Sequence, residues 1–87
     1  MKAIITVVGK DMVGIMARVS TVAAEANANI LEVTQSVLEG YFAMIMLVDL
    51  SAMSWDIDEL QNALRKNAEG MQIHVMHEDV FSSMHHV

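Results

Sequence analysis

The segment from Ile4 to Ile15 decides the fold of this chain, and it reads IITVVGKDMVGI. Its first five residues are apolar or β-branched, which is typical of a buried strand. A turn bracketed by Gly9 and Gly14 follows, and the apolar spacing of a helical face starts at Ile15. Asp11 is placed to cap this helix, because a carboxylate accepts hydrogen bonds from the N–H groups of a first turn. The segment therefore predicts a strand, a tight turn and a helix.

Gly14 is the unusual residue of this segment. We expect it inside the first helical turn, where glycine costs about 1 kcal/mol relative to alanine. A glycine kept at such a cost is typical of a place where another backbone or a ligand comes close. Two interpretations stay open: Gly14 allows the helix to pack tightly on a strand, or it marks a ligand site.

The remaining apolar patterns predict the order β-α-β-β-α-β followed by a short C-terminal helix. Asn27 is expected to end the first helix in a left-handed conformation, Asp56 to cap the second with Glu59, and Gly70 to close it. Glu39-Gly40 predicts the tight turn of a hairpin. Strands are expected at 2–8, 30–38, 41–50 and 71–77, and helices from 15, from 57 and at 79–86.

This order is that of an α+β, ferredoxin-like fold, with a four-stranded antiparallel sheet and two helices on one face. Right-handed crossovers place strands one and three in the centre and strands two and four at the edges. The second strand alternates Leu31, Val33 and Val37 with polar residues, so one buried face is expected. Either face of the third strand is apolar, so the C-terminal helix or a second subunit is expected to cover the open face of the sheet.

Composition narrows the function classes. With 87 residues, of which 54% are hydrophobic and 18% charged, the chain predicts one domain with more apolar surface than it can bury alone, and therefore an oligomer. The net charge of −6 argues against nucleic acid as a partner. No apolar run approaches the about 20 residues of a membrane span, and no signal peptide is recognisable. Because cysteine is absent, we expect neither disulfides nor thiolate metal sites, and a cytoplasmic location.

No catalytic or metal motif stands out. Gly9 and Gly14 have P-loop spacing, but the required Lys-Ser/Thr does not follow, and no nucleophile elbow is present. His74 and His77 are three residues apart on a strand and point to opposite faces, whereas His85 and His86 are expected to be solvated tail residues. The sequence therefore predicts no enzyme, no cofactor and no metal site.

The chain resembles the ACT domain, a small regulatory module of amino-acid metabolism. The residues that carry the resemblance are Asp11-Met12-Val13-Gly14-Ile15, at the opening of the first helix, and Asn29-Ile30, at the opening of the second strand. Val13 replaces the proline of many members. The fold covers a core of residues 1–78, and the tail at 79–87 is similar to that of short free-standing members grouped with glycine cleavage repressor-like regulators.

The resemblance implies a homodimer with a ligand site at its interface, formed by Asp11, Gly14, Ile15, Asn29 and Ile30. Backbone N–H groups at the start of the first helix would hold a carboxylate, and the Asn29 amide can both donate and accept. The other interpretation of Asn29 is a turn residue before a strand.

Two functions remain open after this comparison of motifs. The first is a non-enzymatic regulatory module that binds an amino acid or related metabolite, with a regulatory protein partner that the sequence does not identify. The second is a structural dimerisation or protein-interaction domain without a ligand.

Overall fold

The computed structural model describes residues 1–10 and 13–84, and it confirms the predicted order of elements. The sheet is antiparallel with the strand order β2-β3-β1-β4, so β1 and β3 are central as predicted. The elements are β1 Lys2–Gly9, α1 Ile15–Ala26, β2 Asn29–Leu38, β3 Tyr41–Asp49, α2 Ile57–Asn67, β4 Gln72–His77 and α3 Glu78–Met84. This is the ferredoxin-like α+β fold.

The core lies between α1 and α2 on one side and the two central strands on the other. Alternation along β1 and β3 places every second side chain on this inner face. Of the two apolar faces of β3, the one that begins at Phe42 is buried and the one that begins at Tyr41 is open. Among the most deeply buried side chains are Ile5, Val7, Val19, Val22, Phe42, Met44, Met46, Val48, Leu60 and Leu64.

Local signals mark the end of α1 and the start of α2 where the sequence predicts. Asn27 has a φ of 59°, and the N–H groups of Asn27 and Ala28 donate to the last carbonyls of α1 at 3.1 and 2.9 Å. The Asp56 carboxylate accepts from the Glu59 N–H at 2.8 Å. One expectation is wrong, because α2 ends at Asn67, and Gly70 lies in the following turn to β4.

The hairpin between β2 and β3 has the predicted two-residue turn. Glu39 and Gly40 both have positive φ, 51° and 81°, which is the pattern of a type I′ turn. The turn places Leu38 opposite Tyr41, and the register continues along the strands until a bulge between Ile30 and Glu32.

Strand β2 differs from the prediction of one buried face. No residue from Leu31 to Leu38 is buried, and Val37 and Leu38 are 62% and 75% exposed. The bulge removes Leu31 from the alternation, and β2 lies at the edge of the sheet, where only Ile30 and Val33 pack against the core. The alternating pattern therefore identifies the strand correctly but not its exposure.

Helix α3 folds back over the open face of the sheet, as expected of a C-terminal cover. It begins at Glu78, one residue earlier than predicted, and the predicted end at His86 lies outside the described residues. Phe81 and Ile4 line one cleft, and Ile4 is buried on this otherwise open face. At the other end of the face Val8 and Tyr41 stay exposed, and Ile45, which lines the same cleft as Phe81, is 39% exposed. None of the described helices has the length and apolarity needed to cross a lipid bilayer.

Candidate functional site

The predicted site residues lie at opposite ends of one subunit. Gly9 pairs with Phe42, which pairs with Val37, so this row defines the hairpin end of the sheet. Gly14 follows Gly9 at that end and opens α1. Asn29 opens β2 at the opposite end, separated from Gly14 by the 12 residues of α1, a length of about 18 Å.

Two of the five predicted residues have a core position. Ile15 is buried in the main core, and Ile30 is partly buried against it. Asn29 is exposed at the start of β2, and Gly14 is exposed at the start of α1. Asp11, the predicted cap, lies outside the described residues. Within one chain, therefore, the fold does not bring Gly14 and Asn29 together.

The position of Gly14 differs from the prediction. It is the N-cap residue of α1, with φ 72° and ψ −1°, rather than a residue inside the first turn. Its carbonyl accepts from the Arg18 N–H at 3.1 Å, which is the first helical bond. A left-handed conformation costs other residues about 1–2 kcal/mol, so the backbone itself requires glycine here.

The space beside Gly14 is open. A methyl group built on its Cα would meet no described atom within 4 Å, so the interpretation that Gly14 packs tightly on a strand is wrong. Among the described residues no side chain caps the start of α1, and its first turn carries no acidic residue. Helix N-termini of this kind attract anions because their N–H groups lack helical partners.

The described histidines do not assemble a metal site. His77 Nδ1 lies 3.7 Å from Asp79 Oδ2, and both side chains are open to solvent. Over residues 1–10 and 13–84 no three His, Asp or Glu side chains are grouped as a metal ion would require. His85 and His86 lie outside these residues.

Sequence reasoning missed Lys10 and Tyr41. The Lys10 ammonium lies 5.6 Å from the centroid of the Tyr41 ring, a cation–π distance. The two residues come together because Gly9 pairs with Phe42 at the hairpin end. The sequence could have predicted this contact only through the pairing of β1 with β3, because Lys10 follows Gly9 and Tyr41 precedes Phe42.

The fold and the helix N-terminus define a class: a small α+β domain whose first helix opens on a left-handed glycine beside a four-stranded sheet. The ACT domain family model matches residues 2–78, so the chain belongs to the ACT domain family. The ACT domain is a regulatory, ligand-binding module. The predicted resemblance is therefore confirmed.

Similar proteins support this assignment. A UPF0237 protein of Listeria innocua is 44% identical over 87 residues, which is 98% of either chain. A solved ACT domain protein from Streptococcus pneumoniae is 40% identical with a TM-score of 0.80, and the match covers 93% of both chains. A candidate glycine cleavage system transcriptional repressor shares the fold at 20% identity and a TM-score of 0.65, over 85% of this chain and 43% of that chain.

Proposed function

We propose that this chain is a non-enzymatic regulatory module that binds an amino acid or related metabolite at the interface of a homodimer. The observation that carries the proposal is the open space beside the left-handed Gly14, at a helix N-terminus that no side chain of the described residues caps. Membership of a regulatory, ligand-binding family supports it.

The separation of Gly14 from Asn29 favours a site between subunits. In an antiparallel pair of two β2 strands, the first residues of one strand lie beside the last residues of the other. Asn29 of a second copy would then approach the hairpin end, where Gly14 opens α1. Two copies would bring together what one copy separates by the length of a helix.

The exposure of β2 supports the same pairing. Its exposed apolar side chains include Val37 and Leu38, and among the described residues no side chain bonds to its backbone. An edge strand with unpaired N–H and C=O groups is a template for a further strand. A second β2 would satisfy these groups and cover the apolar side chains.

The chemistry suits a zwitterion. N–H groups of the first turn of α1 would bind the carboxylate, because the positive end of the helix dipole stabilises an anion. The Asn29 side chain of the second copy would accept from the ammonium through its amide oxygen. Ile15 and Ile30 would act only through their backbones, since both side chains pack in the core.

The test is a thermal-shift screen of the twenty amino acids on the full chain, repeated on Asn29→Ala. A ligand at one hundred times its Kd adds about 2.7 kcal/mol of stability, which raises the melting temperature measurably. The shift is expected to disappear in Asn29→Ala and to persist in Asn62→Ala, an exposed residue of α2 that serves as the matched control. A screen without any shift, or equal shifts in both variants, would contradict ligand binding at this site.

The second candidate function is a dimerisation domain without a ligand. It is favoured by the burial of Ile15 and Ile30, which leaves Asn29 as the one exposed residue of the second site segment. A dimer that forms with high affinity but shows no shift in the screen would support this function.

A further inference from the structure

Met71 packs directly against a glycine whose own backbone does not require glycine. Gly9 is the last residue of β1, and its φ is not positive, unlike that of Gly14. A methyl group built on Gly9 would overlap the Met71 sulfur and would lie 2.9 Å from the Met71 methyl carbon. Position 9 therefore needs a glycine to make room for this thioether.

The contact joins two segments that are far apart in sequence. Met71 lies in the turn between α2 and β4, where its N–H donates to the Ala68 carbonyl at 3.2 Å. Its side chain also packs against the main core. Gly9 ends β1 and leads into the segment from which α1 begins at Ile15. The position of the Met71 side chain therefore affects both the end of β1 and the turn before β4.

The Met71 side chain can also be reached from solvent. It is half-buried, and it lines a groove of about 380 Å³ at the hairpin end of the sheet, together with Val8, Lys10 and Tyr41. A small oxidant that enters this groove meets the thioether where it packs on β1. Methionine thioethers are oxidised to sulfoxides, which are polar where the thioether is apolar.

Other methionines lack one of these two properties. Met44 and Met46 are fully buried in the core, so an oxidant reaches them only when the chain opens. Met1 and Met16 are exposed, so an added oxygen would point into water. Met53 is half-buried against the core, but it does not occupy the space beside a glycine.

We propose that Met71 is a site of reversible oxidation by peroxide, and that its sulfoxide releases the turn before β4 from the end of β1. The sulfur attacks one oxygen of hydrogen peroxide, so an S–O bond forms and the O–O bond breaks. The leaving hydroxide takes the proton of the transferred OH group and departs as water. The sulfur loses two electrons and the peroxide gains them, and sulfoxide reductases reverse the change.

The sulfoxide cannot keep the position of the thioether. The sulfur already fills the space beside Gly9, and a polar oxygen placed between the β1 backbone and the core would lack a hydrogen-bond partner there. The oxidised side chain therefore turns out into the groove. This effect does not require a bound ligand, so it goes beyond the proposed function.

Peroxide treatment of the full chain, followed by peptide mass spectrometry and urea denaturation, tests this site. Oxidation is expected to raise the unfolding equilibrium constant of the native chain by about tenfold, because a polar group replaces an apolar one at a packed position. Met71→Leu keeps an apolar side chain that peroxide does not oxidise, so it is expected to lose much less stability on treatment. Met53→Leu is the matched control and is expected to respond as the native chain does. Each variant is compared with its own untreated form.

Amide hydrogen exchange gives a second readout that does not depend on the variants. In the oxidised native chain, exchange is expected to become faster at residues 8–10 and 70–72 and to stay unchanged at residues 3–5, which lie at the opposite end of β1. Treatment with sulfoxide reductases A and B is expected to restore the original rates.

Three results would overturn the proposal. The first is a Met71 that stays unoxidised while Met16 is oxidised. The second is an equal loss of stability in the native chain and in Met71→Leu. The third is an exchange rate at residues 8–10 that oxidation of Met71 leaves unchanged.

Discussion

The two edge strands of the sheet differ in how their outward-facing backbone groups are hydrogen-bonded. On β4, the Val75 N–H donates to Gln61 Oε1 at 2.8 Å, and the Ile73 carbonyl accepts from Arg65 Nε at 2.9 Å. Two side chains of α2, four residues apart on one helix face, thus satisfy the outer backbone groups of this strand. On β2, by contrast, no side chain of the described chain performs this role.

The helices beside these strands explain the contrast. α2 carries long polar side chains where it meets β4. α1 is rich in alanine, and within the described part of the chain none of its side chains is seen to bond to β2. A sheet edge closed by side chains resists pairing with another chain, and an open one invites it. Of the two edges, β2 is therefore the one whose backbone is more open to a partner strand.

The largest expected effect comes from blocking β2. Leu38 and Tyr41 flank a two-residue turn and form a hydrogen-bonded pair, so alternation directs the Gln35 N–H outward. Gln35→Pro removes this N–H without removing a bond to β3, which an edge strand tolerates. We expect a folded monomer of 9.6 kDa by light scattering, whereas the native chain is expected to give twice that mass.

Gln35→Thr keeps the N–H group and is the matched control, expected to remain dimeric. A Gln35→Pro chain that is folded and still dimeric would show that β2 is not the interface.

The next largest effect comes from opening β4. The double variant Gln61→Ala/Arg65→Ala loses two hydrogen bonds and is expected to lower the free energy of unfolding by about 1–3 kcal/mol in urea denaturation. It also uncovers a second edge, so species larger than the dimer should appear in light scattering. Asn62→Ala/Lys66→Ala, on exposed positions of the same helix, is the matched control. Equal stability and equal mass in both double variants would contradict the role of Gln61 and Arg65.

The two helix starts give a smaller effect. Gly14→Ala forces alanine into a left-handed conformation and should lower the free energy of unfolding by about 1–2 kcal/mol. Asp56→Ala removes the side-chain cap of α2 and should cost about 1 kcal/mol. Gly14→Asn is the control, because asparagine tolerates positive φ better than alanine. A stability increase in Gly14→Ala would show that helix propensity, rather than the N-cap conformation, governs this position.

The smallest effect concerns pH at the start of β2. Asp49 pairs with Asn29, and hydrogen bonds from the Ser51 hydroxyl, at 2.6 Å, and N–H, at 2.9 Å, lower the pKa of its carboxyl below the ordinary value of aspartate. Because the folded pKa is lowered, this contribution to stability is complete above the ordinary value and is lost as the pH falls through the lowered one. Urea midpoints measured at decreasing pH below about 5 should fall less steeply in Ser51→Ala than in the native chain. Identical slopes in the two proteins would show that the hydrogen bonds from Ser51 to Asp49 do not contribute to the loss of stability at low pH.

Much of the fold follows from local signals. The predictions that were wrong concern features that tertiary structure decides. Asn27, Asp56 and the Glu39-Gly40 turn were predictable because each acts on backbone groups within a few residues. The exposure of Val37 was not, because alternation assigns a side chain to a face but does not say whether the helices cover that face at the sheet edge. Gly14 was misplaced within its helix because the preceding turn sets where α1 begins.

The sequence names the residues of the proposed site but not their arrangement in the fold. The resemblance names Gly14 and Asn29, yet only the register of the sheet shows that one subunit keeps them at opposite ends. Lys10, Tyr41, Gln61 and Arg65 carry no local signal, because each contacts a residue outside its own helix or strand.

The bulge between Ile30 and Glu32 has a consequence for any strand added to β2. A bulge interrupts the regular spacing of a ladder and increases the local twist. The regular part of the edge therefore runs from Glu32 to Leu38, seven residues or about 24 Å at 3.4 Å each. An incoming strand whose register is shifted past the bulge would lose regular hydrogen bonds to β2. Two copies that meet here would be held to one alignment by a single extra residue, Leu31.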